Sequence, residues 1–264
     1  MSAAASSGLI SLTKPFTPKT LKTLTRILTR NPANTLQKGF ESSTGKVNNA
    51  AVLIPFCNVA GEPSILLEIR AKSLRSHSGE ISFPGGRIDD CPQTDESFLY
   101  GALRETHEEL GVHPTRVEVL GEIGPPEFNA RGDLCVWPFV GFVHAASDTN
   151  SRPATDEDEP LPSLDIDAIR QQVSPSEVAT AFHLPLKSFT SPTRLRSSLF
   201  RLTRPYWEID VTDLVKPILT EDLVTRSINE DGQEVGAGSD GKIEVWGLTG
   251  WYLTLLMKSL QVYQ

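Results

Sequence analysis

Residues 96–112 of the chain read E-S-F-L-Y-G-A-L-R-E-T-H-E-E-L-G-V. Apolar positions recur here at i, i+3/4, i+7 and i+11, a spacing that predicts a helix over 96–110. We expect Thr94 or Asp95 as the N-cap and Gly111 as the C-terminal stop. The expected core stripe consists of Leu99, Ala102, Leu103, Thr106 and Leu110. Short apolar runs surround this helix, so we expect an α+β or layered α/β domain.

The same helix carries three carboxylates close together. Glu105, Glu108 and Glu109 are spaced at i, i+3 and i+4, which places all three on one face, opposite the leucines. Such like charges repel each other, and Arg104 is the nearby cation in the sequence. A divalent ion would relieve this repulsion, and carboxylate oxygens favour Mg²⁺ or Mn²⁺ over zinc. The Gly85-Gly86 pair upstream would let backbone carbonyls approach the same ion.

This segment resembles the Nudix hydrolase signature: a Gly, five residues, Glu, seven residues, then Arg-Glu-apolar-x-Glu-Glu-x-Gly-apolar. Every element of the pattern from Glu96 to Val112 is in place, except that Thr106 takes an apolar position. Asp90 stands where the pattern has its Gly, and Gly86 comes four residues early, so the loop 87–93 is lengthened. The resemblance implies an α/β/α sandwich with a mixed β-sheet.

A second motif narrows the resemblance. Residues 74–86 read L-R-S-H-S-G-E-I-S-F-P-G-G, which is similar to the signature L-R-x-H-x-G-x-x-x-F-P-G-G of the coenzyme A diphosphatase branch. That branch implies cleavage of coenzyme A to 3′,5′-ADP and 4′-phosphopantetheine, and leaves acyl-CoA open as a further substrate. Two alternatives stay open: a Nudix pyrophosphatase for an oxidised nucleotide such as 8-oxo-dGTP, a dinucleotide or a nucleotide sugar, and a non-catalytic binding module.

The resemblance assigns roles to the residues of the helix. Glu105 and Glu109 are the implied principal metal ligands, and Glu108 is an additional one. Arg104 is expected to orient Glu105. For a general base from outside the helix, the candidate is Glu177, with a plain surface glutamate as the alternative. The residues expected to support the loop and helix are Gly85, Gly86, Glu96 and Gly111, with Glu96 also supporting Arg104.

The 3′-phosphate of coenzyme A requires a cation, and arginine offers bidentate contacts to phosphate. Arg70, Arg75 and Arg87 surround the signature and are the candidates, each with a solvated arginine as the alternative. His77 is expected either to donate to a phosphate or to fix the loop by hydrogen bonding. Phe83 is expected to shape the substrate pocket, and core packing is its other role.

Composition limits the possible functions. The 264 residues carry a net charge of −8, which argues against broad nucleic-acid binding. The three cysteines lie far apart without a CxxC pair, so a disulfide scaffold is not expected.

The expected organisation is a basic N-terminal helix or extension over 1–48 and one Nudix domain over 49–264, with polar insertions near 145–168 and 226–242. The acidic run D-E-D-E-P at 156–160 is expected to be a mobile solvated loop, because clustered like charges repel each other. Besides the helix, the expected elements are strands at 50–56, 64–69, 116–122, 134–143 and about 178–183, and a closing helix over 246–260. Pro84-Gly85-Gly86 is expected to break the chain after the short apolar run at 81–83, and the resemblance gives no assignment for 187–244.

The N-terminal 40 residues contain several lysines and arginines and no acidic residue before Glu41. This composition is similar to an organelle transit segment. The alternative is a basic first helix that packs through Leu21, Leu24 and Leu28, with Ile27 beside them. The branch is associated with peroxisomes and mitochondria, so either matrix is the expected location, with the cytoplasm as the alternative. No membrane span is expected, and the oligomeric state is left open.

Overall fold

The computed structural model describes residues 8–29, 48–74, 77–88, 95–145, 156–219 and 241–264. Its strands are β1 Asn48–Val59, β2 Glu62–Arg70, β3 Ile81–Ser82, β4 Gly85–Arg87, β5 Val117–Glu122, β6 Glu127–Phe128, β7 Leu134–Val143, β8 Val178–Pro185, β9 Leu195–Phe200, β10 Arg204–Asp210 and β11 Glu244–Val245. Its α-helices are α1 Pro18–Leu28, α2 Phe98–Leu110, α3 Ile166–Arg170, α4 Thr212–Val215 and α5 Gly247–Ser259. Within these ranges, each helix is too short or too polar to cross a membrane.

An eight-stranded mixed sheet forms the centre of the molecule. Strand β1 runs parallel to β7 and antiparallel to β2 and β4, and β8 pairs with the other edge of β2. Strands β1 and β2 are therefore flanked on both sides, and most of their residues are buried. Strands covered on both faces read as nearly continuous apolar runs, which is why the runs at 50–56 and 64–69 were recognisable in the sequence.

The sheet separates two hydrophobic clusters. Side chains of β1 alternate between them, because successive residues of a strand point to opposite faces. Ile54 and Phe56 enter the cluster that contains the buried residues of α1 and α5. Leu53 and Cys57 enter the cluster that contains those of α2 and α3. The result is the predicted α/β/α sandwich with a mixed sheet.

Most of the expected elements are present, and the strand expected at 134–143 has the predicted bounds. The expectation that Pro84-Gly85-Gly86 breaks the chain was wrong, because Gly85 and Gly86 lie in β4 and pair with Val52 and Ala51 of β1. Strands β9, β10 and β11 form a second, three-stranded sheet. This sheet lies within 187–244, where the resemblance gave no assignment.

The basic segment near the N-terminus is a helix packed on the domain, as the second interpretation predicted. Leu24 and Leu28 of α1 are fully buried in the core. The acidic stretch 156–160, expected to be a mobile solvated loop, instead lies against α1. Lys19 pairs with Asp158 at 2.9 Å, and its backbone amide donates to the carbonyl of Glu157 at 3.0 Å. Opposite charges on α1 thus replace the mutual repulsion on which that expectation rested. Residues 146–155 of the first polar insertion and 226–240 of the second lie outside the described residues.

Candidate active site

Helix α2 is fixed at both ends by local hydrogen bonds. The side chain of Ser97 accepts from the backbone amide of Tyr100 at 3.1 Å, so Ser97 is the N-cap and the expected Thr94 or Asp95 cap was wrong. Gly111 ends the helix in the left-handed conformation, with φ of 68°, and its amide donates to the carbonyl of His107. This cap confirms the predicted stop and uses the conformational freedom of glycine.

The face of α2 toward the sheet agrees in part with the one expected, since Ala102, Thr106 and Leu110 of the expected core stripe are buried. Its buried residues are Gly101, Ala102, Thr106, Glu109 and Leu110. Leu99 and Leu103, expected in the core stripe, are partly exposed. Ala102, Thr106 and Glu109 follow one another at helical spacing, so Glu109 points toward the sheet rather than away from the core. Of the three carboxylates, Glu109 is buried, Glu105 is half-buried and Glu108 is exposed.

Strand β4 passes close beneath these carboxylates, and its two glycines permit this approach. The amide of Gly85 donates to Oε2 of Glu109 at 2.8 Å. A Cβ atom on Gly86 would lie 2.6 Å from Oε2 of Glu105, so the Glu105 carboxylate would have to move to make room for it. A Cβ atom on Gly85 would lie 2.6 Å from Cα of Val52 in β1. The glycine pair therefore brings backbone and carboxylates into one compact site.

Arg104 connects the site to the start of the helix. Its guanidinium makes a bidentate pair with the buried Asp95, with Nε–Oδ1 at 2.9 Å and Nη2–Oδ2 at 3.0 Å. Nη1 lies 3.0 Å from Oε1 of Glu105 and 3.0 Å from Oε2 of Glu108. The expected support from Glu96 was wrong: Glu96 is exposed, and Asp95, which lies one residue earlier, holds Arg104. Bidentate pairing fixes the plane of the guanidinium and, through it, Glu105.

A further carboxylate, Glu68 of β2, lies in the site and was missed by the sequence analysis. Its side chain is fully buried, and Oε1 accepts from the hydroxyl of Ser82 at 3.0 Å. Nη1 of Arg70 lies 3.6 Å from Oε1 of Glu68 and 3.7 Å from Oε1 of Glu109. A glutamate inside the apolar run S-I-L-L-E-I at 64–69 was the available signal, because an isolated buried carboxylate is costly.

Glu177, in the loop before β8, lies near the carboxylates of Glu68, Glu105 and Glu109. Its carbonyl accepts from the amide of Ala71 at 2.8 Å, and the amide of Ser174 donates to the carbonyl of Glu109 at 2.9 Å. The negative charge of Glu177 is close enough to act on Glu68, Glu105 and Glu109. The predicted candidate is therefore brought next to the carboxylates of α2.

Burial and mutual repulsion raise the pKa values of Glu68, Glu105 and Glu109. Desolvation is the main cause that raises the pKa of Glu109 to about 8, against opposing contributions from the Gly85 amide and Arg70. Desolvation also raises the pKa of Glu105, and that of Glu68 well above its ordinary value. A group of carboxylates with raised pKa values lacks positive charge, and a divalent cation would supply it.

The donor chemistry suits Mg²⁺ or Mn²⁺. In the part of the chain that the structure describes, no three His, Cys, Asp or Glu side chains converge to hold one metal ion. Mg²⁺ is commonly held by one or two carboxylates together with waters and substrate phosphates, so Glu105 and Glu109 would suffice. Oε2 of Glu68 is buried without a hydrogen-bond partner among the described residues, a further sign that the site lacks positive charge.

The residues predicted to bind the substrate do not all lie in the site. Arg70 lies in the site, but its guanidinium faces carboxylates. His77 pairs with Glu80 through Nδ1 at 2.9 Å, an interaction that raises the pKa of His77 and fixes the loop. Phe83 is buried in the core, and Arg87 is exposed, with its carbonyl accepting from Nη2 of Arg104. Arg75 lies outside the described residues.

Comparison with known proteins places this site in a family. A family model described as the NUDIX domain matches residues 47–191, more than half of the chain. The "Probable nudix hydrolase C6G9.05" of Schizosaccharomyces pombe is 34% identical over 154 residues, which cover 58% of this chain and 45% of that protein. The "Uncharacterized Nudix hydrolase NudL" of Cronobacter sakazakii is 39% identical over 132 residues, which cover 48% of this chain and 65% of that protein.

A crystal structure of a MutT/nudix family protein from Enterococcus faecalis is 19% identical, with a TM-score of 0.34, and the match covers 61% of this chain and 54% of that chain. The chain thus spans 45% and 65% of the lengths of the two curated relatives named above. The family model covers β1 to β8 and includes every carboxylate of the site. The chain belongs to the NUDIX domain family.

Proposed function

We propose that the protein hydrolyses a phosphorus anhydride with the help of Mg²⁺ or Mn²⁺. The observation that carries this proposal is the buried position of Glu109, whose carboxylate touches the Gly85 amide while its pKa is raised to about 8. A carboxylate held in this state, beside Glu105 and Glu177, is a strong site for a divalent cation. The charge of a pyrophosphate must be neutralised before water can attack it, and such a cation is suited to that task.

Each residue then has a distinct task. Glu105 and Glu109 would hold the cation, which when bound offsets the charge of the pyrophosphate and activates water. Arg104, fixed by Asp95, keeps Glu105 oriented. Glu177 accepts a proton from the attacking water as the new P–O bond forms and the bridging P–O bond breaks. The leaving phosphate carries the electron pair of the broken bond.

We propose coenzyme A as the substrate, with 3′,5′-ADP and 4′-phosphopantetheine as products. The support is the segment 74–86 and its resemblance to the coenzyme A diphosphatase signature. The second half of this segment contains β3, where the hydroxyl of Ser82 donates to Glu68, and the start of β4, where the amide of Gly85 donates to Glu109. The described end of the segment therefore lies against the carboxylate group, which supports a role for the segment in binding the substrate that is cleaved there.

A competition assay tests the choice of substrate. Coenzyme A, dephospho-CoA, ADP-ribose and 8-oxo-dGTP are supplied together with Mg²⁺ or Mn²⁺, and products are identified by mass. We expect the highest kcat/KM for coenzyme A, with release of 3′,5′-ADP. Cleavage of a nucleotide in preference to coenzyme A would contradict the substrate assignment but retain the hydrolase. Cleavage of none of the four would favour a binding module.

A further inference from the structure

Glu68 is a buried carboxylate that the proposed reaction leaves without a task. It lies in β2 opposite Ser82 of β3, and the hydroxyl of Ser82 holds its Oε1 at 3.0 Å. Its other oxygen, Oε2, is buried and has no hydrogen-bond partner among the residues that the structure describes. Since replacement of a buried charge by an apolar residue is often neutral or stabilising, packing alone does not account for a glutamate here.

Among the described residues, the cation that pairs with Glu68 is shared with Glu109. Nη1 of Arg70 lies 3.6 Å from Oε1 of Glu68 and 3.7 Å from Oε1 of Glu109, so neither carboxylate holds it alone. Nε of the same guanidinium is buried without a hydrogen-bond partner in the described part of the chain. Arg70 is thus placed between two competing anions, and its position depends on the charge of both.

We propose that Glu68 is a positioning residue that holds Arg70 away from Glu109 and so keeps Glu109 available to a divalent cation. The inference rests on the proposed function, because it assumes that Glu109 is a metal ligand. Without the carboxylate of Glu68 beside it, Arg70 would pair with Glu109 alone and compete with the metal for the same carboxylate. The carboxylate of Glu68 therefore sets the metal affinity of the site without contacting the metal.

A titration of the metal-free full chain with Mn²⁺ tests this role. Binding is measured as the loss of the electron paramagnetic resonance signal of free Mn²⁺. We expect Glu68→Gln, which retains the shape of the side chain, to raise the Kd for Mn²⁺ by about 10-fold. Arg70→Gln removes the competing cation, so we expect Mn²⁺ to bind at least as tightly as in the wild type. In the double variant, Glu68→Gln should have no further effect, because its action passes through Arg70.

Glu208→Gln is the matched control, since Glu208 is a buried glutamate paired with Arg196 in the second sheet. It should leave the Kd for Mn²⁺ unchanged, and thermal unfolding by circular dichroism verifies that each variant is folded. Failure of the wild type to bind Mn²⁺ would overturn the proposed function and the inference with it. If Glu68→Gln bound Mn²⁺ with the wild-type Kd, the inference would be overturned but the proposed function would stand. The same holds if Glu68→Gln lowered the Mn²⁺ affinity equally in the presence and in the absence of Arg70. Weakened binding in Arg70→Gln would also overturn it, even where Glu68→Gln does not fold.

Discussion

Glu109 is both a buried residue of the fold and a proposed ligand of the metal ion. One of its oxygens accepts from Gly85, and the other faces Arg70. Glu109→Gln keeps an oxygen for the Gly85 amide but removes the charge that a metal requires. We expect kcat to fall by about 10²-fold. The measurement is the rate of substrate hydrolysis with saturating Mn²⁺, alongside circular dichroism to verify folding. A folded variant with the wild-type rate would remove Glu109 from the metal site.

The raised pKa of Glu109 also predicts how stability depends on pH. Its folded pKa of about 8 lies above the ordinary value of 4.5, so between these values the folded state binds the proton more tightly than the unfolded state. The contribution of Glu109 to stability is therefore fully present below pH 4.5 and is lost as pH rises toward 8. Metal-free wild type should lose Tm relative to Glu109→Gln between pH 5 and 8. Parallel Tm curves for the two proteins would refute this assignment.

Most residues of the candidate site could be identified from the sequence. There are physical reasons why the others could not. Spacing identified Glu105, Glu109 and Arg104, because helical periodicity determines which residues are neighbours. Asp95 was missed as the partner of Arg104, since it lies before the helix, where spacing along the chain no longer determines direction. Glu68 was missed because its role depends on pairing with β3 and on a helix far away in sequence.

At the scale of the elements, the close packing of β4 predicts different effects for alanine substitutions at its two glycines. A Cβ on Gly85 would meet the backbone of β1, at Cα of Val52 and at the carbonyl oxygen of Ala51. A Cβ on Gly86 would instead meet the carboxylate of Glu105, the end of a flexible side chain. We expect Gly85→Ala to lower stability strongly, whereas Gly86→Ala displaces Glu105 and weakens Mn²⁺ binding with a smaller loss of stability. Urea unfolding and Mn²⁺ titration measure the two effects. Equal losses of stability would contradict this distinction.

Helix α1 provides a second test at this scale. Leu24 is fully buried in the core, so Leu24→Ala should cost about 2–5 kcal/mol of unfolding free energy. Lys22 forms an exposed ion pair with Glu157, and Lys22→Ala should cost less than about 1 kcal/mol. Both values come from urea denaturation. A loss below about 1 kcal/mol for Leu24→Ala would mean that α1 does not pack as described.

The strands that are buried on both faces were easier to predict from the sequence than the other elements. The runs at 50–56 and 64–69 were recognisable because strands covered on both faces are apolar throughout. Strand β4 was not, because its Gly-Gly-Arg sequence is typical of a turn and its extended form depends on pairing with β1. The second sheet was also missed, since β11 pairs with β10 across more than 30 residues of sequence.

At the scale of the whole molecule, the sheet gathers charges from distant parts of the chain. Glu68 comes from a central strand, Glu105 and Glu109 from α2, and Glu177 from the loop before β8. None of these positions is close to all the others in sequence, so only the tertiary fold brings the four together. The layer of α1 and α5 on the opposite face of the sheet completes the core that holds this arrangement in place.

We propose that this carboxylate group directs metal-dependent cleavage of the coenzyme A pyrophosphate. The most direct measurement incubates the wild-type chain with coenzyme A in ¹⁸O-labelled water, with Mn²⁺ or with a chelator, and analyses the products by mass. We predict 3′,5′-ADP and 4′-phosphopantetheine, one of them carrying a single ¹⁸O atom, in the presence of Mn²⁺ alone. Intact coenzyme A with Mn²⁺, or equal cleavage with the chelator, would contradict the account.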